Sequence, residues 1–467
     1  MSGIKMLRAK ANKIEKATKG IREFIAEIVE KDSFVQTDVF MAGESFLDGS
    51  EALGEGVICG YANLGDYPVT IIAQNAEVLG GSLGKAHADK ILKAIDRAQK
   101  TKTPLISIID SRGARLGEGL SALEGYAAIT AKVSLLKRNV PHIAIINGNA
   151  IGHMSIYAQT ADIMFMGKDG IMSFNPPMAV LASSGSAKAP GEVFCAANHA
   201  KHNNTCAFTY EKPSEIKHTL NKLFDYMQKP IIENEDNPNR VAAELNKAAG
   251  AQALLEALCD EKQYLELYAG FAPSVKTVIT SVNSISAGIV QTKADGVTSL
   301  LDENAVKKIA KFVSFLQAYH IPLITLIDCE GVKSDIDSEL GGISAVCAEL
   351  AECIAASGIA KIAVVTGSAI GYAYTVLCSK ALGFDYTLAF ADSTLLPINA
   401  DTAISVINVK EIESASNPVA AREKLAEFYK SRQGNPFIAG KEGYIDNIIE
   451  PALLRPYVAS ILTALER

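Results

Sequence analysis

The chain has 467 residues, enough for two domains of ordinary size, and 48% of them are hydrophobic against 21% charged, the balance of a protein that folds around a core. A net charge of −7 argues against a nucleic-acid partner, which needs a basic face. The eight cysteines are scattered and form no CxxC pair, which speaks against a zinc ribbon or a disulfide framework; reduced thiols and a cytoplasmic location are expected.

The first 31 residues are charged throughout and have no apolar centre, so they read as an amphipathic helix rather than a signal peptide. "GGSLGKAHADK" (Gly80–Lys90) resembles a phosphate loop but has Ala86 where a Mg²⁺-ligating hydroxyl belongs. The helical pattern Ala88–Leu105 runs into the apolar strand "TPLISIID" (Thr103–Asp110), followed by the glycine-containing loop "DSRGARLGEG" (Asp110–Gly119). A second helix is predicted over Gly125–Arg138, then the strand "HIAII" (His142–Ile146), the glycine turn "NGNAIGHMSIY" (Asn147–Tyr157) and a third helix. His199 and His202 lie three apart but lack Cys or carboxylate partners at ligand spacing, and no metal site is expected. The polar, acidic stretch Gln228–Arg240 is the predicted seam, giving domains 1–235 and 236–467.

Beyond the seam the order recurs. "IPLITLID" (Ile321–Asp328) repeats Thr103–Asp110 at an offset of 218, and "TGSAIGYAYTV" (Thr366–Val376) repeats the first turn at 219. Val306–Leu323 parallels Ala88–Leu105, a helix is predicted over Ile343–Ser357, and "KIAVV" (Lys361–Val365) parallels "HIAII". Gly148 and Gly152 map onto Gly367 and Gly371. So long a period means two homologous domains, and near-continuous apolar strands alternating with helices mean an α/β fold. Ile362–Cys378 carries no charge, but it is too short and glycine-broken for a membrane span and reads as strand, turn and buried helix.

A strand that ends in glycine and enters a helix leaves backbone N–H groups unpaired, lets a ligand come close, and sets a positive dipole end behind the donors. That arrangement suits a developing oxyanion, and two such turns suggest two oxyanions in one reaction. No catalytic nucleophile constellation accompanies them, which points to enolate stabilisation.

"IIAQNAEVLGGSLGKAHADKI" (Ile71–Ile91), "DSRGARLGEG", "KDSFVQTD" (Lys31–Asp38), "GGI" (Gly341–Ile343), "SKALGFD" (Ser379–Asp385) and "NPFIAGKEGYIDNIIEP" (Asn435–Pro451) together resemble the carboxyltransferase (β) subunits of biotin-dependent acyl-CoA carboxylases, most closely the propionyl-CoA/methylmalonyl-CoA type. The resemblance runs in order from about Lys31 to the C-terminus. It implies two crotonase-like domains of the ClpP/crotonase superfamily in tandem. It also implies transfer of CO2 from carboxybiotin to the α-carbon of a short acyl-CoA such as acetyl- or propionyl-CoA. Carried over, Gly152 and His153 face the thioester, Gly371 and Tyr372 face biotin, Gly113, Ala114, Arg115 and Lys85 bind acyl-CoA, and Thr375 lines the acyl pocket.

The implied partners are a biotin carboxyl carrier protein, a biotin carboxylase and further copies of this chain in a hexamer, with no membrane insertion. The chain departs from the family in having His153 and Tyr372 where a second glycine is usual, and in reading "DCEGV" (Asp328–Val332) where Pro-Gly is usual. Two alternatives stay open: the α subunit of an acyl-CoA decarboxylase running the reverse transfer, and a degenerate subunit that keeps fold and assembly without catalysis.

Overall fold

The computed structural model describes residues 3–43, 52–136, 139–229, 231–247, 250–294, 296–297 and 300–465. The chain divides into two compact units, Met1–Phe224 and Asp225–Arg467. The division falls inside the helix Pro213–Gln228, just ahead of the polar stretch Gln228–Arg240.

The first unit is built on β1 (Val57–Leu64), β2 (Tyr67–Gln74), α1 (Lys85–Thr101), β3 (Leu105–Ser111), α2 (Leu120–Leu136), β4 (His142–Ile151), α3 (His153–Gln159) and β5 (Ile163–Gly167). β1 and β2 form an antiparallel hairpin; β2, β3, β4 and β5 then lie side by side and parallel. β3 and the first half of β4 are buried on both faces, which is why their sequences are unbroken apolar runs rather than alternating ones. α1 covers the sheet with Ala88, Ile91, Ala94, Ile95 and Ala98, a stripe at helical spacing. Each isoleucine so buried contributes about 1.5–3 kcal/mol relative to exposure.

The second unit repeats the plan with β6 (Lys276–Val282), β7 (Ile285–Gln291), α4 (Glu303–Ala318), β8 (Leu323–Cys329), α5 (Ile343–Ala356), β9 (Lys361–Ile370), α6 (Tyr372–Leu377) and β10 (Tyr386–Phe390). Its hairpin is again antiparallel and its remaining strands parallel in the same order. Even the irregularities match: the register slips between Ile109 and Ser111 against β4, and between Ile327 and Cys329 against β9.

The duplication extends to a buried polar device. Lys90 Nζ donates to the carbonyls of Gly54 and Val57, at 3.0 and 2.7 Å. Lys308 Nζ does the same to Phe271 and Val275, at 2.8 and 2.7 Å, tying each central helix to the segment before the first strand. Burial depresses both ammonium groups, Lys308 to about 8.

Two expectations change in detail, and a third holds. α2 begins at Leu120, ahead of the predicted Gly125, and the predicted end Arg138 lies outside the described residues. The strand "HIAII" continues through "NGNAI" to Ile151, so the turn shrinks to Gly152 itself. Ile362–Cys378 falls on β9, Gly371 and α6, and no helix among the described residues is long and apolar enough to cross a membrane.

Candidate active site

β4 ends at Ile151 and α3 starts at His153; between them Gly152 has φ 64° and ψ −134°, a conformation an L side chain rarely adopts. Its own N–H is used on the Ser173 carbonyl at 3.0 Å, and its carbonyl accepts from the N–H of Ser155 at 3.0 Å. The donors left over are those of the first helical turn, His153 and Met154, whose N–H groups have no intrahelical partner. Of the two residues expected to face the ligand, Gly152 supplies the bend and His153 carries the N–H left without an intrahelical partner.

A second loop comes against this bend. Gly113 has φ 104°, and a Cβ there would stand 3.3 Å from the Ile151 carbonyl oxygen. Leu83 N–H donates to Gly113 and Arg115 N–H donates to Leu83, both at 2.9 Å, so Ala114 bridges to Leu83 as in a parallel ladder. Peptide groups alternate along such a segment, so the N–H of Ala114 points away from Leu83, to the side where β4 ends. Ala114 and His153 are thus the candidate backbone donors at this turn.

The second unit reproduces the arrangement. Gly371 (φ 57°, ψ −119°) spends its N–H on Leu396 at 2.9 Å and begins α6. Gly331 has φ 115° and sits with a would-be Cβ 3.6 Å from the Ile370 carbonyl oxygen. Val332 pairs with Leu301 as Ala114 pairs with Leu83. Gly331 and Val332 are candidate site residues that the sequence reading did not single out, although Gly331 stands 218 positions after Gly113, the period already in hand.

The paired glycines upstream have a separate purpose. A Cβ on Gly148 would lie 2.3 Å from the Asp110 carboxylate, and one on Gly367 would lie 2.4 Å from that of Asp328. Each carboxylate accepts the next backbone N–H, Asn149 at 2.9 Å and Ser368 at 3.0 Å, pinning the end of the neighbouring strand.

The two large side chains that replace the usual second glycines turn back onto the preceding long helix. The His153 ring stacks on Tyr126 of α2, centroids 5.0 Å apart and planes at 25°, with Phe174 edge-on at 6.1 Å. Tyr372 donates its hydroxyl to the Cys347 carbonyl of α5 at 2.6 Å. Burial raises the Tyr372 phenol above its ordinary range, so it remains a neutral donor.

Arg115 does not face outward. Its side chain is 8% exposed; Nη1 binds Glu55 (fully buried) at 2.5 Å and Glu118 at 2.8 Å, and Nη2 binds the Ser82 carbonyl at 3.0 Å. The same Glu55 carboxylate accepts the Gly43 N–H at 2.6 Å, and its carbonyl accepts Nδ1–H of buried His87 at 2.9 Å. Burial, with the nearby Arg115 charge, lowers His87 to about 3, so its ring is neutral. The acyl-CoA contact expected of Arg115 therefore meets a guanidinium already committed inside the protein, where it anchors the Gly113–Ala114 loop. Lys85, at the head of α1, is exposed and pairs with Asp89 at 3.0 Å. Thr375 lies one turn into α6 and lines a cavity of about 590 Å³ together with Gly371, Tyr374, Leu396, Ile438 and Tyr444. His199 holds the Met172 carbonyl and Asn203 on its two ring nitrogens, at 2.8 Å each.

A family model, the carboxyl transferase domain, matches residues 13–467. The chain belongs to that family. Among curated proteins it is 29% identical to the methylmalonyl-CoA carboxyltransferase 12S subunit of Propionibacterium freudenreichii subsp. shermanii, over 94% of this chain and 87% of that one. It is likewise 29% identical to the biotin-dependent acetyl-/propionyl-coenzyme A carboxylase beta5 subunit of Mycobacterium leprae, over 96% and 86%. Among solved structures it superposes on transcarboxylase 12S, a hexamer with methylmalonyl-coenzyme A and methylmalonic acid bound, at a TM-score of 0.93 and 27% identity, covering 99% of this chain and 94% of that one. The carboxyltransferase is an enzyme of carboxyl-group transfer, folded as two crotonase-like domains in tandem.

Proposed function

We propose that this carboxyltransferase is the component of a biotin-dependent acyl-CoA carboxylase that carries CO2 from carboxybiotin to the α-carbon of a short acyl-CoA. The observation that carries the reading is the duplicated bend, Gly152 with Gly113 packed against it and Gly371 with Gly331, which sets Ala114 and His153 in one unit, and Val332 and Tyr372 in the other, as backbone donors. Carboxybiotin on a separate carrier chain supplies the CO2 and, once CO2 has left, the base.

The thioester oxygen lies between the N–H groups of Ala114 and His153, where charge grows as the α-proton leaves. Each such donor is worth about 3–4 kcal/mol of transition-state stabilisation. The donors of Val332 and Tyr372 face the ureido oxygen of biotin, and the cavity of about 590 Å³ beside Gly371 has room for its fused rings. The protein provides position and fixed dipoles, and no side chain need exchange a proton. Hexamer assembly of the relative whose structure superposes supports an oligomer in which the first unit of one copy meets the second unit of another.

The test is turnover by the full chain with carboxylated carrier protein and acetyl-, propionyl-, methylmalonyl- or glutaconyl-CoA. Carboxylation of acetyl- or propionyl-CoA is expected. Transfer only from methylmalonyl- or glutaconyl-CoA onto free carrier biotin would assign the decarboxylase direction instead. No transfer either way by a correctly assembled oligomer would refute the reading.

A further inference from the structure

With Arg115 buried in its ion pair, the acyl-CoA side needs its phosphate-binding cation elsewhere. Arg112 lies on the same loop, immediately before Gly113, and is exposed. Its N–H donates to the Gly80 carbonyl at 3.0 Å, and its stem lies over Gly80, where a Cβ would meet Cδ at 3.1 Å and Cγ at 3.5 Å. Gly81 beside it lies so close to the Asp110 carbonyl that a Cβ there would stand 2.1 Å from the oxygen. Two glycines in sequence thus make a seat into which the arginine stem drops.

The guanidinium itself makes no ion pair or side-chain hydrogen bond with the described residues. Of the two carboxylates of the loop, Asp110 accepts the Asn149 N–H, and Glu118 is taken by Arg115 Nη1 and by the Lys85 N–H. Lys85 follows four residues after Gly81, its exposed ammonium paired with Asp89 at 3.0 Å. A guanidinium with no carboxylate partner among the described residues, its stem seated on Gly80 and two residues from Ala114, is matched chemically by a phosphate, which arginine engages through parallel N–H bonds.

We propose that Arg112, seated on Gly80 and assisted by Lys85, binds a phosphate of the CoA moiety and so aligns the thioester with Ala114. This rests on the acyl-CoA reading of the first unit. The same guanidinium chemistry would also take a carboxylate at the far end of the acyl chain, and the ligands below separate the two sources.

Binding of propionyl-CoA, of propionyl-pantetheine, which lacks the phosphates, and of methylmalonyl-CoA, which adds an acyl carboxylate, is measured calorimetrically on the full chain and on Arg112→Gln and Arg112→Lys. The exposed position makes both variants fold, which circular dichroism checks. Arg112→Gln is expected to weaken propionyl-CoA about tenfold, equal to about 1.4 kcal/mol. Arg112→Lys should weaken it less, and propionyl-pantetheine should bind all three proteins alike. Unchanged propionyl-CoA binding, or equal loss with both ligands, overturns the assignment while leaving the acyl-CoA reading intact. A loss confined to methylmalonyl-CoA over propionyl-CoA assigns the acyl carboxylate and overturns the phosphate role. Failure of the unaltered chain to bind propionyl-CoA at all removes the acyl-CoA reading and this assignment with it.

Discussion

Replacing Glu55 by Gln tests the buried lock beneath the thioester-side loop. The substitution keeps shape and removes one charge. Arg115, 8% exposed, loses its partner at 2.5 Å and keeps only Glu118 at 2.8 Å, itself 23% exposed. Breaking a buried pair costs about 3–5 kcal/mol because the surviving charge stays desolvated. The retained Glu118 puts Glu55→Gln at the lower end, about 3 kcal/mol. For a unit the size of Met1–Phe224, roughly 2–4 °C of melting temperature follows each kcal/mol, so a fall of about 6–12 °C is expected by circular dichroism. The double variant Glu55→Gln/Arg115→Met removes both charges and should recover most of that loss, since an apolar pair of similar volume is often neutral. A melt for Glu55→Gln indistinguishable from the parent, or a double variant that is the worse of the two, would refute the account of Arg115 as an anchor.

Other consequences follow from single sites. His87 is neutral in the folded state with its pKa lowered to about 3, so below pH 6.5 the unfolded chain binds a proton that the folded chain refuses. Stability present above pH 6.5 is therefore lost as pH falls toward 3, at about 1.4 kcal/mol per unit; His87→Gln should flatten the parent's pH–stability slope between 6.5 and 5 by that amount. Gly148→Ala drives a methyl into the Asp110 carboxylate and breaks its bond to the Asn149 N–H, for a loss of about 3 kcal/mol in chemical denaturation, whereas the same change at exposed Gly191 should cost far less. His153→Gly keeps the backbone donor and loses only the stacking on Tyr126, about 0.5–1.5 kcal/mol. Turnover is expected to stay within a few-fold of the parent; a collapse of kcat with intact folding would mean that the imidazole takes part in the chemistry.

Where the sequence was legible, periodicity and covalent geometry acted locally. The all-apolar strands β3, β4, β8 and β9 read directly because both their faces are covered, and the 218-residue offset returned as matched register slips at Ile109–Ser111 and Ile327–Cys329. Gly152 and Gly371 were visible because a chain leaving a strand for a helix there requires positive φ. What escaped depended on partners distant in sequence. Arg115 looks like a ligand-binding cation until Glu55, 60 residues upstream, is seen to neutralise it. The orientation of His153 and Tyr372 depends on Tyr126 and Cys347, which sit on helices whose distance from the turn no local pattern encodes. Gly331 was missed for a different reason, since the residues around it differ from the first copy while its backbone conformation does not.

The two copies have kept the same turn but secured its flanking loop differently. In the first unit the loop is tied down by a buried ion pair, whereas position 333, which corresponds to Arg115, carries a lysine paired with Asp335 in water. The side chains of Lys333 and Asp335 are 51% and 40% exposed, and the first partner's counterpart, Pro273, cannot accept a charge. A pair so hydrated is screened by solvent and contributes little to folding. The loop bearing Gly331 is therefore held by its backbone pairing with Leu300 and Leu301 rather than by charge. Lys333→Met should leave the melting temperature unmoved, in contrast to the large fall expected for Glu55→Gln. The two pairs should also differ in their response to salt: raising ionic strength weakens the exposed Lys333–Asp335 pair and leaves the buried Arg115–Glu55 pair nearly untouched. A Lys333→Met melt lowered as far as that of Glu55→Gln would show that the second loop depends on charge after all, and that the asymmetry between the copies is only one of depth.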